Sequence, residues 1–172
     1  MSDLIARRAG ADDWADLRAV RLAALTDSPM AFGSTLARER DYDEARWRTW
    51  PDAGAVFLAW RDGEPVGISG GLRSTEGIEL ISVWAAPSSR GTGTAATVVG
   101  AVLRWARESG ETEVRAWVAE NSTRALRFYD KIGFTPTGLV RPHAHSADLR
   151  EVRLRIRLVE DSGPLSDDLA HR

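Results

Sequence analysis

The chain has 172 residues, and its 23 Lys and Arg against 25 Asp and Glu give a net charge of -2. This length predicts one domain, and the charge balance leaves no positive field to recruit nucleic acid or an anionic membrane surface. Cysteine is absent, which excludes disulfides, thiolate metal sites and a cysteine nucleophile. No apolar run approaches the ~20 residues that span a bilayer, and the N-terminus has no apolar signal region. We therefore expect a cytoplasmic protein whose partner is a small molecule or a peptide.

The order of apolar and polar residues predicts strands interleaved with helices. Strands show a period of two, and helices repeat apolar residues at i, i+3 and i+4. In chain order the predicted elements are a strand at 4–8, a helix at 14–28, an irregular helix at 36–50, strands at 55–60, 66–72 and 78–85, a helix from 95 to 107, a strand at 114–119, a helix at 121–132 and strands at 137–140 and 152–158. Such interleaving predicts a mixed α/β sheet with helices on its faces.

Several residues mark the expected ends of these elements. Asp12-Asp13 can cap the first long helix, and Asn121 can cap the last one. Gly133 is expected to take a left-handed backbone where that last helix closes. Residues 160–172 are polar and lack periodicity, so we predict a disordered tail after a single domain over residues 1–159.

A glycine-rich loop joins the strand at 78–85 to the following helix. Its residues are Arg90, Gly91, Thr92, Gly93, Thr94 and Ala95. The first backbone N–H groups of a helix have no intrahelical acceptor, so a loop at this position attracts phosphate. A Walker loop would need a Lys after the glycines, and a dinucleotide fingerprint would need a third glycine where Ala96 stands. The phosphate ligand is therefore of another kind.

Two motifs in this region resemble those of one family. Residues 90–95, after Ala86-Pro87, resemble the R/Q-x-x-G-x-G/A pyrophosphate loop of the GNAT superfamily of acyl-CoA-dependent N-acyltransferases. Residues 121–134, NSTRALRFYDKIGF, are similar to the N-x-x-A-x-x-F-Y-x-x-x-G-F helix of that family. The resemblance implies a mostly antiparallel sheet of six to seven strands with about four helices, in which two neighbouring strands splay apart. It also implies acetyl-CoA as acyl donor, no metal, and a possible homodimer.

The resemblance implies roles for particular residues of this chain. The backbone N–H of Val83 would stabilise the developing oxyanion, and the Tyr129 hydroxyl would approach the sulfur of CoA as a catalytic group. The full set of expected cofactor-binding residues is Val83, Trp84, Ala85, Arg90, Gly91, Thr92, Gly93, Thr94, Ala95, Asn121, Arg124 and Tyr129. The Thr94 hydroxyl would either bind phosphate or face solvent.

The amine acceptor needs a base and a binding surface. The resemblance implies that Glu79, in the strand before the loop, is the catalytic base and acts through water. Glu76 or water alone are alternatives, and alternation by itself leaves open whether Glu79 faces solvent. Phe32, Trp47 and His143 are the expected acceptor contacts, in segments that vary in the family. His143 and His145 alternate like metal ligands, but we expect a flexible loop at residues 141–145 because too few other ligands are near.

Parts of the sequence fit two other function classes. Residues 67–71, GISGG, match the G-x-S-x-G nucleophile elbow of hydrolases, but the sequence after them predicts a turn into another strand instead of the helix that an elbow requires. A non-catalytic acyl-CoA-binding or regulatory module stays open, since cofactor residues can persist without an acceptor. The acceptor amine itself cannot be read from the sequence.

Overall fold

A computed structural model describes residues 3–159, and the predicted tail at 160–172 lies outside them. The described residues form one seven-stranded sheet and five α-helices. In chain order the elements are β1 (Leu4–Arg8), α1 (Trp14–Asp27), α2 (Leu36–Glu39), α3 (Glu44–Thr49), β2 (Gly54–Arg61), β3 (Glu64–Ser74), β4 (Gly77–Ala85), α4 (Thr94–Glu108), β5 (Glu113–Ala119), α5 (Thr123–Lys131), β6 (Thr135–His143) and β7 (Ser146–Arg157). The predicted mixed α/β fold with six to seven strands is confirmed.

The sheet is split near its centre. Its strand order is β1-β2-β3-β4-β5-β7-β6, and every neighbouring pair is antiparallel except β4 and β5. These two parallel strands pair only at Ile78 with Val114 and at Glu79 with Arg115. Beyond this junction they separate, as the family resemblance implied.

A β-bulge lies in β4 just past the junction. Ser82 has a φ of 59°, a left-handed backbone that is unfavourable for a residue with a side chain, and the register with β3 shifts at this position. Before the bulge, Ile78 and Leu80 pack against the α4 side of the sheet. After it, Val83 faces α4 and Trp84 faces α1, the reverse of what simple alternation would give.

Helix α4 packs very closely on β3, and small residues of β3 make this possible. A Cβ at Gly67 would lie 2.6 Å from Cγ2 of Thr94, and one at Gly71 would lie 2.5 Å from Cζ3 of Trp105. Ser69 between them is 0% exposed and stands in an extended strand. The G-x-S-x-G motif therefore forms the part of β3 on which α4 packs. This arrangement excludes its use as a nucleophile elbow.

Apolar side chains fill both faces of the sheet. One core lies under α4 and α5, and the other lies between the sheet and helices α1 to α3. Trp47 belongs to the second core and is 0% exposed. None of the described helices is both long and apolar enough to cross a bilayer.

The structure divides one predicted helix and confirms the predicted backbone of Gly133. The predicted helix at 36–50 is two helices, because Thr35 accepts a hydrogen bond from the Arg38 N–H and Asp43 accepts one from the Arg46 N–H, so each caps a separate start. Gly133 has the expected positive φ, 105°.

The predicted cap at Asp12-Asp13 is right in position but makes no capping bond, and the predicted cap at Asn121 is wrong. Asp13 is the N-cap residue of α1. The Asp13 carboxylate accepts the Gly10 N–H and pairs with Arg7 instead of capping α1. Asn121 lies one residue too early, since Ser122 is the N-cap of α5 and makes no side-chain capping bond.

Candidate active site

A cleft of about 390 Å³ opens where β4 and β5 separate. Because it lies in the gap between two strands, it connects one face of the sheet with the other. Its walls come from the loop before α2, the bulged part of β4, the end of β5, the first turns of α5 and the β6–β7 hairpin. The lining residues are Arg21, residues 30–34, Arg38, Glu39, Tyr42, Trp50, residues 79–83, residues 117–119, Ser122, Ala125, Tyr129, Arg141 and Glu151.

Glu79 lines this cleft from β4. Its neighbours Ile78 and Leu80 pack into the core on the α4 side, so alternation directs the Glu79 side chain to the face of α1 to α3. Glu79 forms no salt bridge within residues 3–159. Its carboxylate is therefore available to a ligand in the cleft.

The alternative base, Glu76, lies outside the cleft lining at the turn between β3 and β4. Its carboxylate accepts a hydrogen bond from Nη2 of Arg153 at 2.7 Å. This bond, with the positive charge of Arg153, holds the pKa of Glu76 below its ordinary value. Position and pairing thus favour Glu79 over Glu76.

Tyr129 reaches the cleft from α5 on the opposite side of the sheet. Its ring is buried and makes edge-to-face contacts with Phe128 and Phe134, each at 5.2 Å between centroids. Burial raises the pKa of the phenol well above its ordinary value, and no hydrogen bond from the described residues offsets this. The hydroxyl therefore stays protonated at any working pH and can act as a hydrogen-bond donor in the cleft.

The loop before α4 has the geometry of an anion site. Gly91 and Gly93 have φ values of 75° and 85°, which residues with side chains rarely adopt. Gly93 is the N-cap of α4 and supplies no side-chain cap, so the first N–H groups of the helix are left for an external acceptor. A Cβ at either glycine would meet no atom within 4 Å, so the space beside the backbone is open to a ligand. The loop fits a pyrophosphate.

The threonines of the loop are engaged within it. The Thr92 hydroxyl donates to the Ser89 carbonyl at 2.6 Å, and it lies 3.2 Å from the Thr94 hydroxyl. Thr94 is buried, so its hydroxyl does not face solvent as one expectation had it. Phosphate contacts at Thr94 and Ala95 would come from backbone N–H groups.

Arg90 and Trp84 point away from the cleft, toward the end of α1. The Asp27 carboxylate accepts hydrogen bonds from Nε1 of Trp84 at 3.0 Å and from Arg90, which also donates to the Ala85 carbonyl at 3.2 Å. These bonds, with one from Ser28, lower the pKa of Asp27 to about 2. Of the two side chains expected at the cofactor, Arg90 thus joins the loop to α1, and Trp84 joins the end of β4 to α1. Ala85, Asn121 and Arg124 also lie outside the cleft lining.

The acceptor end of the cleft differs from the expected set. Phe32 lines the cleft, but Trp47 does not, because it lies wholly in the core under α1 to α3. Trp50 and Tyr42, which pack on Trp47 at 6.1 and 5.7 Å, supply the aromatic lining instead.

His143 supports the cleft wall without lining it. Nδ1 of His143 accepts the His145 N–H at 3.1 Å, so Nε2 carries the proton and donates to the Met30 carbonyl at 2.7 Å. His145 Nε2 lies 3.0 Å from the Phe32 carbonyl. The expected flexible loop is therefore wrong here, since residues 141–143 belong to β6 and both rings hold the segment before α2. No group of three metal-ligating side chains occurs among the described residues.

Comparison with known proteins agrees with this geometry. The model of the acetyltransferase (GNAT) family matches residues 19–134, a span that includes the split strands, the glycine-rich loop and α5. The chain belongs to the GNAT family. This GNAT chain is 35% identical to an uncharacterised N-acetyltransferase of Mycobacterium bovis over 85 residues, 49% of this chain and 54% of that protein. It is 32% identical to a mycothiol acetyltransferase of Thermomonospora curvata over 127 residues, 73% of this chain and 41% of that protein.

The chain spans about half the length of these curated relatives. Solved structures match the GNAT fold over a larger share. The acetyltransferase yncA of Salmonella typhimurium, solved with its cofactor acetyl-CoA, superposes with a TM-score of 0.75 at 19% identity, covering 96% of this chain and 99% of that one. A ribosomal-protein-alanine N-acetyltransferase of Brucella melitensis gives a TM-score of 0.69 at 22% identity, covering 90% and 99%. At these identities the likeness shows the fold.

Sequence reasoning missed one buried ion pair of this GNAT site. Arg21 of α1 and Glu39 of α2 line the cleft yet are only 5% and 3% exposed. The sequence did indicate a buried charge at Arg21. This residue stands in the apolar stripe of α1, four residues after Leu17 and three before Ala24. A charge on such a stripe requires a buried partner.

Proposed function

We propose that the protein is an acetyl-CoA-dependent N-acetyltransferase that moves the acetyl group directly to a primary amine of a small molecule or peptide. The observation that carries this proposal is the arrangement of one cleft through the split sheet, with Glu79 on one side and Tyr129 on the other. The amine approaches from the side of α1 to α3, and the thioester lies toward α4 and α5. The pyrophosphate of acetyl-CoA binds the loop at residues 90–95.

Each step of the reaction has a group in this cleft. The amine nitrogen bonds to the acetyl carbon, and its proton passes through water to Glu79. The Val83 N–H, directly after the bulge, stabilises the negative charge on the acetyl oxygen. The carbon–sulfur bond then breaks, and the sulfur leaves as a thiolate beside the Tyr129 hydroxyl.

The raised pKa of Tyr129 defines its role more closely. An alkyl thiol such as that of Cys titrates near pH ~8.5, well below an ordinary phenol near ~10. Burial raises the pKa of Tyr129 further above its ordinary value, so the phenol still carries its proton when the thiolate forms beside it. Tyr129 therefore stabilises the leaving thiolate as a charge-assisted hydrogen-bond donor, and solvent supplies the proton after release.

The charges of the cleft favour an acceptor with an acidic group as well as an amine. Of the charged residues that line it, Arg21 pairs with Glu39 and Arg141 pairs with Glu151. Glu79 and Arg38 are the lining charges that form no salt bridge within residues 3–159. We infer that the acceptor places its amine at Glu79 and an anionic group at Arg38.

The test is incubation with acetyl-CoA and a panel of amines, with and without a carboxylate or phosphate, followed by mass spectrometry and measurement of CoA release. We expect a singly acetylated product and a preference for amines that carry an anionic group. Arg38→Gln should raise KM for the amines that carry an anionic group. It should leave KM unchanged for the amines that lack one. Equal KM changes for both kinds of amine would contradict the assignment of Arg38.

Binding without turnover would support the alternative, a non-catalytic acyl-CoA-binding or regulatory module. In that case acetyl-CoA raises the thermal midpoint of unfolding, but no amine in the panel releases CoA. If millimolar acetyl-CoA leaves the thermal midpoint unchanged, both proposed functions of the cleft are contradicted, the acetyltransferase and the non-catalytic binding module.

A further inference from the structure

The buried Arg21–Glu39 pair has a direct contact with the bulge of β4. Nε and Nη2 of Arg21 donate to the two carboxylate oxygens of Glu39 at 2.8 and 2.9 Å. The remaining nitrogen, Nη1, donates to the Ser82 hydroxyl at 3.1 Å. One guanidinium therefore joins α1, α2 and the strained residue of β4.

Hydrogen bonds and aromatic rings hold this guanidinium in position. Its Cζ atom lies 4.8 Å from the ring centroid of Phe32 and 5.4 Å from that of Trp50. The fork of two parallel hydrogen bonds to Glu39 sets its plane. Glu39 is itself buried and stands in the short helix α2, which Thr35 caps. The third donor is therefore presented to Ser82 in one orientation.

Ser82 is the residue whose backbone needs such support. Its φ of 59° is left-handed, and a residue with a Cβ keeps this conformation only where its surroundings impose it. The bulge at Ser82 decides the direction of the next peptide unit, which carries the Val83 N–H. A shift of the Ser82 backbone therefore moves the N–H that faces the acetyl oxygen in the proposed reaction.

We propose that Arg21, held by Glu39, is a positioning residue that clamps the bulge at Ser82 and thereby aims the Val83 N–H into the cleft. The reaction part of this inference rests on the proposed acetyl transfer. The geometric part does not, since it concerns the backbone of residues 82 and 83. Arg21 touches no reacting atom in this scheme and acts through Ser82 alone.

The test removes the clamp without leaving a buried charge. Arg21→Ala alone would leave the buried Glu39 carboxylate without a partner and strongly destabilise the protein. Replacing both partners of a buried pair with apolar residues of similar size usually preserves stability. The test protein is therefore the double variant Arg21→Met/Glu39→Leu. Ser82→Ala, which removes only the accepting hydroxyl, is a second route to the same loss. Arg150→Gln/Glu120→Gln removes an exposed pair outside the cleft lining and is the matched control.

Two measurements read out the clamp. The first is the amide signal of Val83 in protein labelled with ¹⁵N-valine, assigned by its absence in Val83→Ile. We expect this signal to shift or broaden in Arg21→Met/Glu39→Leu and in Ser82→Ala, but not in the control. The second is turnover, which should fall about 10- to 100-fold while KM for acetyl-CoA stays within about threefold of the wild-type value. The loss is limited because the oxyanion donor is misdirected but still present.

A rescue variant separates positioning from general stability. Glycine adopts a left-handed φ without strain. Ser82→Gly added to the double variant should therefore return the Val83 signal toward its wild-type position and recover most of the lost turnover. A folded double variant with wild-type Val83 signal and turnover would overturn the proposal, and so would a loss of turnover that follows the thermal midpoint and is not rescued. If the wild type acetylates no amine, the acetyl transfer fails, and the Val83 signal still decides the clamp.

Discussion

Tyr129→Phe removes one oxygen from the cleft and leaves the packing of α5 intact. The ring keeps both edge-to-face contacts, with Phe128 and with Phe134. The hydroxyl makes no hydrogen bond to the described residues, so its loss leaves none of their polar groups without a hydrogen-bond partner. The free energy of unfolding should change by less than about 0.5 kcal/mol, which for a chain of this size moves the thermal midpoint by about 1–2 °C.

The effect on turnover should be much larger. A hydrogen bond to a charged group contributes about 1.5–3 kcal/mol, and the thiolate is charged only as the carbon–sulfur bond breaks. Loss of this bond in the transition state lowers kcat by about 10- to 150-fold. Affinity for acetyl-CoA should stay nearly unchanged, because the uncharged thioester gains little from the hydroxyl.

The assay compares acetyl-CoA with an acetyl thioester of a more acidic thiol. A better leaving group needs less stabilisation, so the deficit of Tyr129→Phe should shrink with the acidic thiol. Tyr42→Phe is the matched control, because Tyr42 lines the acceptor end of the same cleft. Any deficit of Tyr42→Phe should be independent of the thiol. Full activity in Tyr129→Phe would refute the assignment, and a parallel loss of activity and thermal stability would make Tyr129 a core residue only.

Three further predictions concern the loop, the base and the end of α1. Gly93→Val should abolish the rise in thermal midpoint caused by acetyl-CoA, which at ~100 times its Kd corresponds to about 2.7 kcal/mol, while Gly100→Ala in α4 should keep it; equal shifts would contradict a pyrophosphate site. Glu79→Gln should lower turnover by about 10²–10³ near neutral pH and less at high pH, where the amine is already deprotonated; an equal loss at every pH would indicate a structural role. Asp27→Asn should lower the thermal midpoint by a constant amount above about pH 5. Because the pKa of Asp27 is lowered from 3.8 to about 2, this stabilisation declines as pH falls through that interval, and a difference that is undiminished at pH 2 would argue against the carboxylate.

Local patterns in the sequence were sufficient for most of the elements and for the place of the glycine-rich loop at the start of α4. The period-two strands and the apolar stripe of α4 needed no knowledge of distant residues. Gly91 and Gly93 could be placed at a helix start because glycine is the residue that adopts the φ required there.

Contacts between distant segments could not be read in this way. Trp47 and Trp50 stand three residues apart on a short helical segment, and only the packing of α1 decides that Trp47 is buried and Trp50 faces the cleft. The side chain of Arg90 turns toward Asp27, 63 residues earlier, and no local pattern encodes that bond. The guanidinium that supports the bulge at Ser82 likewise comes from a distant segment, α1.

The split between β4 and β5 also bears on how the molecule opens. With two residue pairs at the junction, the hydrogen-bonded ladder divides into a four-stranded unit, β1 to β4, and a three-stranded unit, β5 to β7. Other contacts still join the two units: the apolar contacts of α4 with both of them, the bond between Glu76 and Arg153, and the bonds of His143 and His145 to the segment before α2. Native-state hydrogen exchange should therefore resolve two cooperative units with separate opening free energies. A molecule of acetyl-CoA seated in the split would contact both units and merge their openings into one.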